Sequence, residues 1–136
     1  MRVMAVDYGD VRVGVALSDP TGTLTGDAFV IKEAGQNTLA ARLAAICAER
    51  DVSHVVVGWP RHMNGSVGER AELSEKLAAK IKKLTGLPVT LSDERLTSAY
   101  AHRVLTENGK SAGKRKKVID AVAASIILEG FLDSRK

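Results

Sequence analysis

The sequence predicts an α/β fold, a five-stranded mixed sheet with helices on both faces. Three observations predict it. Three short apolar runs near the start are separated by turn residues, the pattern of an antiparallel meander. Further along, apolar runs alternate with segments whose apolar residues recur at helical spacing. The last such segment, from about residue 115 to 132, is apolar over most of its circumference, as a helix buried against a sheet must be.

Val3-Met4-Ala5-Val6 reads as a first strand, apolar on both faces and therefore central in its sheet. It stops on Asp7, at the rim, where a carboxylate can meet water, metal or phosphate. Tyr8-Gly9-Asp10 carries turn-forming residues, and Val13 to Leu17 returns as a second strand. Gly14 and Ala16 share one face of it by the two-residue alternation of strands. Turned towards Asp7, that face would leave open space beside the carboxylate. The plain alternative is that Asp7 merely shapes the turn.

After Asp19-Pro20 and a loop rich in Thr and Gly, Ala28 to Ile31 forms a third strand. Asn37 is a suitable N-cap for a first helix, whose Leu39, Leu43, Ile46 and Cys47 share a face. Cys47 thus reads as a small buried hydrophobe rather than a reactive thiol. The β-branched run Val55-Val56-Val57 is a buried strand ending at Gly58-Trp59-Pro60, where Trp59 reads as a packing residue, the alternative being a ring that stacks on a base. Arg61 to Gly65 is a loop with Asn-Gly turn chemistry, and Ser66 with Glu69 has the spacing of a capping box. Leu73, Leu77, Ile81 and Leu84 form the buried stripe of a second helix. Lys76, Lys80, Lys82 and Lys83 lie away from it as a solvated face. Gly86 ends that helix and Pro88 to Ser92 supplies a fifth strand. A third helix spans roughly residues 98 to 108. Residues 110–117 then form a short, glycine-containing and strongly basic segment leading into the last helix.

At 136 residues the chain is one domain, residues 1–136, with room for a real core. Its hydrophobic share of 45% fits a globular protein rather than a disordered one. No apolar run approaches the ~20 residues that span a bilayer, and the start flows directly into strand one without a signal peptide. The single cysteine, Cys47, excludes an internal disulfide and a Cys-based zinc site, and points to a reducing cytoplasm. A net charge of +4 makes acidic partners, nucleic acid above all, the natural ones.

Three acids interrupt apolar stretches at element boundaries. Asp7 ends the first strand, Glu94 ends the fifth, and Asp120 lies in the first turns of the last helix. Ala123, Ala124 and Ile127 follow Asp120 at i+3, i+4 and i+7, a small apolar stripe suited to close approach to a sheet. A carboxylate on such a stripe needs a cation or a hydrogen-bond donor. Taken singly, a salt bridge to Arg115 or Arg95, or the helix dipole, would satisfy Asp120. Taken together, three acids at one rim can hold two Mg²⁺ or Mn²⁺ ions for phosphodiester hydrolysis. Oxygen donors suit those cations, and zinc-type ligands are lacking. Of the scattered histidines, His54 lies in a buried strand, His102 stands apart, and His62 beside Arg61 is the one placed to meet substrate. Arg61-His62 precedes a helix N-terminus, where free amides attract anions. The segment ending in Lys114-Arg115-Lys116-Lys117 sits just before Asp120 and suits a phosphate backbone.

Four stretches carry a family resemblance: residues 7–19 (DYGDVRVGVALSD), 55–70 (VVVGWPRHMNGSVGER), 88–99 (PVTLSDERLTSA) and 117–132 (KVIDAVAASIILEGFL). In this order they resemble the YqgF/RuvX family, relatives of the RuvC Holliday-junction resolvases with an RNase H-like fold. The resemblance implies a cytoplasmic bacterial nuclease connected with maturation of the 5′ end of pre-16S ribosomal RNA. Holliday-junction resolution has also been proposed for members. It places the acid triad on Asp7, Glu94 and Asp120. Trp59 and Arg61-His62 fall in a variable part of the Gly-x-Pro loop.

The leading expectation is a metal-dependent endonuclease on structured RNA, with Asp7, Glu94 and Asp120 holding the ions. Arg61, His62, Arg95, Lys114, Arg115, Lys116 and Lys117 would hold nucleic acid. The alternatives are a dimeric resolvase cutting four-way DNA junctions and a nucleic-acid-binding assembly factor without catalysis; the chain itself is expected to be a monomer or homodimer. Asp7-x-Gly9 with Gly14 also resembles the phosphate loop of actin-like ATPases, which need a second lobe that this length cannot supply.

Overall fold

The structure is a computed structural model that describes residues 1–9, 12–32, 35–60, 64, 67–93 and 113–135, the side chains of 113–120 excepted. Its elements run β1 (Arg2–Tyr8), β2 (Arg12–Ser18), β3 (Thr25–Lys32), α1 (Gln36–Glu49), β4 (Val52–Trp59), α2 (Glu69–Thr85), β5 (Val89–Asp93) and α3 (Gly113–Ser134). Among the described residues the strands form one sheet in the order β3-β2-β1-β4-β5. The meander expected at the start is present, with β1/β2 and β2/β3 antiparallel. β1/β4 and β4/β5 are parallel. The predicted α/β architecture with a five-stranded mixed sheet is therefore the observed one.

β1 is the centre of the sheet, buried from Val3 onwards, and its alternate side chains serve two cores. Met4, Val6 and Tyr8 join Val13, Val15 and Leu17 on the face covered by α1 and α2, through Leu39, Leu43, Cys47, Leu77 and Ile81. Val3 and Ala5 join Ala16 and Val56 on the opposite face, covered by α3 through Ala123, Ala124, Ile127, Leu128 and Leu132. Each large aliphatic side chain so buried contributes about 1.5–3 kcal/mol. Burial pushes the Cys47 thiol up to about 11, in keeping with its packing role.

The β1–β2 hairpin depends on glycine. The N–H of Gly9 donates to the Arg12 carbonyl at 3.1 Å, and a Cβ on Gly9 would stand 2.5 Å from that oxygen. At the other end of β1 the backbone N–H of Val3 donates to the Ser18 hydroxyl (2.8 Å), beside a register shift between Leu17 and Ser18. Asp19 then organises the β2–β3 connection. Its carboxylate accepts from the Thr21 and Thr23 hydroxyls and from the backbone N–H groups of Thr23 (2.9 Å) and Leu24 (3.1 Å). These bonds, that of Thr21 foremost, hold its carboxyl well below the usual carboxylate range.

Several local expectations need correction. Asn37 is not the N-cap of α1: Gly35 is, with no side-chain cap bond, and Leu39 N–H closes the first turn on the Gly35 carbonyl. The capping box on Ser66 and Glu69 is not how α2 starts. Glu69 is itself the first helical residue, after Gly68, whose carbonyl accepts from Glu72 N–H at 3.0 Å. Leu84 is 56% exposed: the buried stripe of α2 runs Ala71, Ser74, Leu77, Ala78, Ile81 and stops there, with Leu84 on the same face but in the last turn of the helix. Gly86 does end α2, in the left-handed conformation (φ 71°). Among the described residues no helix is long and apolar enough to cross a membrane.

Candidate active site

β1, β4 and β5 run parallel, so their C-terminal ends lie along one rim of the sheet. The chain order reverses there: β1 leads outward to β2 and β3 on one side, whereas β4 and β5 extend the other. Such a reversal opens a crevice beyond the carboxyl ends of the strands. Asp7 stands at this rim.

The strand does not stop at Asp7, as its apolar run suggested, but continues to Tyr8, so the carboxylate is held inside the ladder. Asp7 is only 3% exposed and stands opposite Gly14 of β2. By alternation it shares the face of Val3 and Ala5, the face on which α3 packs. On the other side Val6 pairs with Val57, and Gly58 follows directly. Asp7 is thus flanked by a glycine on each neighbouring strand, with Ala123 and Ala124 of α3 buried on the same face. Gly14 and Ala16 do lie on the face that Asp7 shares.

Asp120 belongs to α3, seven residues along from Gly113 and one turn before Ala123 and Ala124. It is therefore beyond the reach of the N-terminal dipole, which acts within the first turn. Lys114, Arg115, Lys116 and Lys117 fall in the first turns of α3, not in a loop. Their side chains and that of Asp120 lie outside the described residues, as do Arg61, His62, His102, Glu94, Arg95 and the helix expected over 98–108. Glu94 directly follows Asp93, the last residue of β5, whose end adjoins that of β4 through the Trp59–Asp93 pair. Among the described residues no group of three or more His, Cys, Asp or Glu could hold a metal ion. The donor chemistry of Asp7, a buried carboxylate at a rim with glycine on either side, fits a hard cation such as Mg²⁺ or Mn²⁺.

His54 has a structural role. Its Nε2 is 2.8 Å from the Thr90 hydroxyl, and its ring lies 4.8 Å from that of Phe131 on α3. Burial, aided by the positive charge of Arg135, lowers its pKa below the ordinary 6.5. One residue at the rim went unnoticed in the sequence. Arg70, in the first turn of α2, donates from its guanidinium to the Tyr8 carbonyl and lies over the Tyr8 ring, 5.2 Å from its centroid. The signal was available: a cation in a helix's first turn opposes the dipole and needs a local reason.

The fold defines a class, the RuvC-like RNase H fold. RuvC of T. thermophilus in complex with a Holliday junction substrate superposes with a TM-score of 0.63 at 16% identity, over 99% of this chain and 95% of that one. The Fowlpox virus resolvase, solved with Holliday junction DNA, superposes with a TM-score of 0.61 at 13% identity, over 99% of each chain. Within that class the family model described as "RuvX: Holliday junction resolvase" matches residues 1–134. A protein of Lachnospira eligens named "Putative pre-16S rRNA nuclease" is 45% identical over 100% of this chain and 99% of its own length. One of Geobacillus thermodenitrificans with the same name is 45% identical over 100% of both. The chain belongs to the RuvX (YqgF) family, and is a nuclease of that family, a hydrolase acting on phosphodiester bonds.

Proposed function

We propose that this nuclease is a metal-dependent endonuclease that processes the 5′ end of pre-16S ribosomal RNA, in the cytoplasm. The observation that supports it most is the setting of Asp7: a buried carboxylate between two glycine positions, on the sheet face against which the Asp120-bearing helix packs. Asp7, Glu94 and Asp120 would hold Mg²⁺ or Mn²⁺, two ions in the full site, by oxygen donors alone. Bound there, such ions supply activation of a water and stabilisation of the leaving oxygen.

The protein's own part is placement. β1 fixes Asp7 in a ladder that cannot shift by one residue without exposing its core side chains. α3 would bring Asp120 to the same face, and β5 is followed in the chain by Glu94. Lys114, Arg115, Lys116 and Lys117 stand in a helix's first turns with no acidic residue among them, a charge arrangement that favours a polyanion. Arg61, His62 and Arg95, next to the ends of β4 and β5 in the chain, would complete the hold on phosphates.

A second reading, resolution of four-way DNA junctions, is supported by the family's description and by fold neighbours solved with such junctions. The two part in one experiment: purified protein with Mg²⁺ or Mn²⁺ on precursor ribosomal RNA and on a four-way DNA junction in parallel. Faster cleavage of the RNA supports the first reading. Faster, symmetric cleavage of the junction overturns it in favour of the second.

A further inference from the structure

The β1–β4 pairs end at Val6 and Val57, two residues before β1 itself ends. Just past that point Arg70 reaches across from α2. Its guanidinium donates to the carbonyl oxygen of Tyr8, the residue directly after Asp7, and lies on the ring of the same residue. Tyr8 is 6% exposed and set in the core beneath α1 and α2. The base of the arginine is anchored in turn, since the fully buried Ser74 hydroxyl donates to the Arg70 carbonyl at 3.1 Å. One side chain thus joins the start of α2, which follows Arg61 and His62 in the chain, to the end of the strand that carries Asp7.

We propose that Arg70 is a positioning residue, whose grip on Tyr8 holds the end of β1 and with it the Asp7 carboxylate in its catalytic place. This rests on the nuclease reading above. Both arms of the contact need a guanidinium: the planar fork donates to the carbonyl while the flat cation covers the ring, and a lysine ammonium does neither equally well. Two other roles are open to an arginine at a nucleic-acid rim, a packing role alone or a direct contact to substrate phosphate. Each leaves a different kinetic trace.

The test compares Arg70→Ala, Arg70→Lys and the unsubstituted protein in cleavage kinetics, Mn²⁺ titration by calorimetry, and amide hydrogen exchange at Tyr8 and Gly9. Positioning predicts a fall in kcat of about 10–100-fold in Arg70→Ala with KM nearly unchanged, weaker Mn²⁺ binding and faster exchange at those two amides. Arg70→Lys should fall between. An unchanged kcat overturns the proposal by leaving Arg70 a packing residue. A raised KM with kcat retained and a flatter salt dependence overturns it in favour of phosphate contact. Should Arg70→Ala not fold, Arg70→Lys and Tyr8→Leu, which keeps apolar bulk but no ring, carry the same comparison. If the unsubstituted protein cleaves nothing, the nuclease reading has failed, and exchange alone judges the grip: unchanged exchange in Arg70→Ala overturns that as well.

Discussion

Asp7 of β1 stands directly across the ladder from Gly14 of β2, so the buried carboxylate faces a position with no side chain. Glycine weakens a strand interior, and its usual justification there is the close approach of something else. For a nuclease site at this rim as proposed above, the approaching groups would be a metal ion and the scissile phosphate. Gly14→Val should leave the melting temperature close to the parent's, valine being a strong strand former. Cleavage should fall by about tenfold or more as the space fills. Full cleavage by a folded Gly14→Val protein would mean that the space beside Asp7 is not used.

The basic start of α3 offers a second check. Replacing Lys114, Arg115, Lys116 and Lys117 with glutamine removes cations from the positive end of a helix dipole, so folding should hold or improve. Binding to nucleic acid should weaken at low salt. If all four meet phosphates, the slope of log K against log salt should shrink by up to about 3 to 4. A slope equal to the parent's would show that these cations touch no phosphate.

His54 makes the pH dependence specific. Burial first, and the Arg135 charge second, favour the neutral ring in the folded state. A folded pKa below the unfolded value gives stability that is fully present above the unfolded value, near 6.5, and lost as pH falls through the folded one. Among the described residues, the groups around the ring, Thr90, Phe131 and Arg135, include no acid that would reverse the sign. Melting followed from pH 8 to pH 5 should therefore show a loss below about 6.5 that His54→Gln lacks. A ring titrating at or above 6.5 by NMR would contradict this.

Much of the fold was legible because two-residue and helical periodicities report burial directly. β1 and β4 are almost continuously apolar, as sheet centres must be, and Leu39, Leu43, Leu77 and Ile81 marked the inner faces of α1 and α2. Element ends were less legible. Ser66 and Glu69 have capping-box spacing, yet Gly68 starts α2 through backbone bonds that leave no trace in residue type. Leu84 has the chemistry and the spacing of a core residue, yet in the last turn of α2 it is exposed. At the site, Asp7 stood out as an acid closing an apolar strand. Arg70 did not, because what defines it is a backbone carbonyl 62 residues away, which no spacing rule reports.

Whether Asp7 ligates the catalytic ion is tested most directly by Asp7→Asn. The substitution keeps the shape and removes one negative charge. With Mn²⁺, cleavage of precursor ribosomal RNA should fall by roughly a hundredfold or more. In chelator, the melting temperature should hold or rise as repulsion among neighbouring carboxylates is relieved, and nucleic-acid binding should persist. Asp7→Asn protein that cleaves at the parent rate, on a preparation shown to be folded and pure, would contradict a catalytic Asp7 and leave the chain a binding factor.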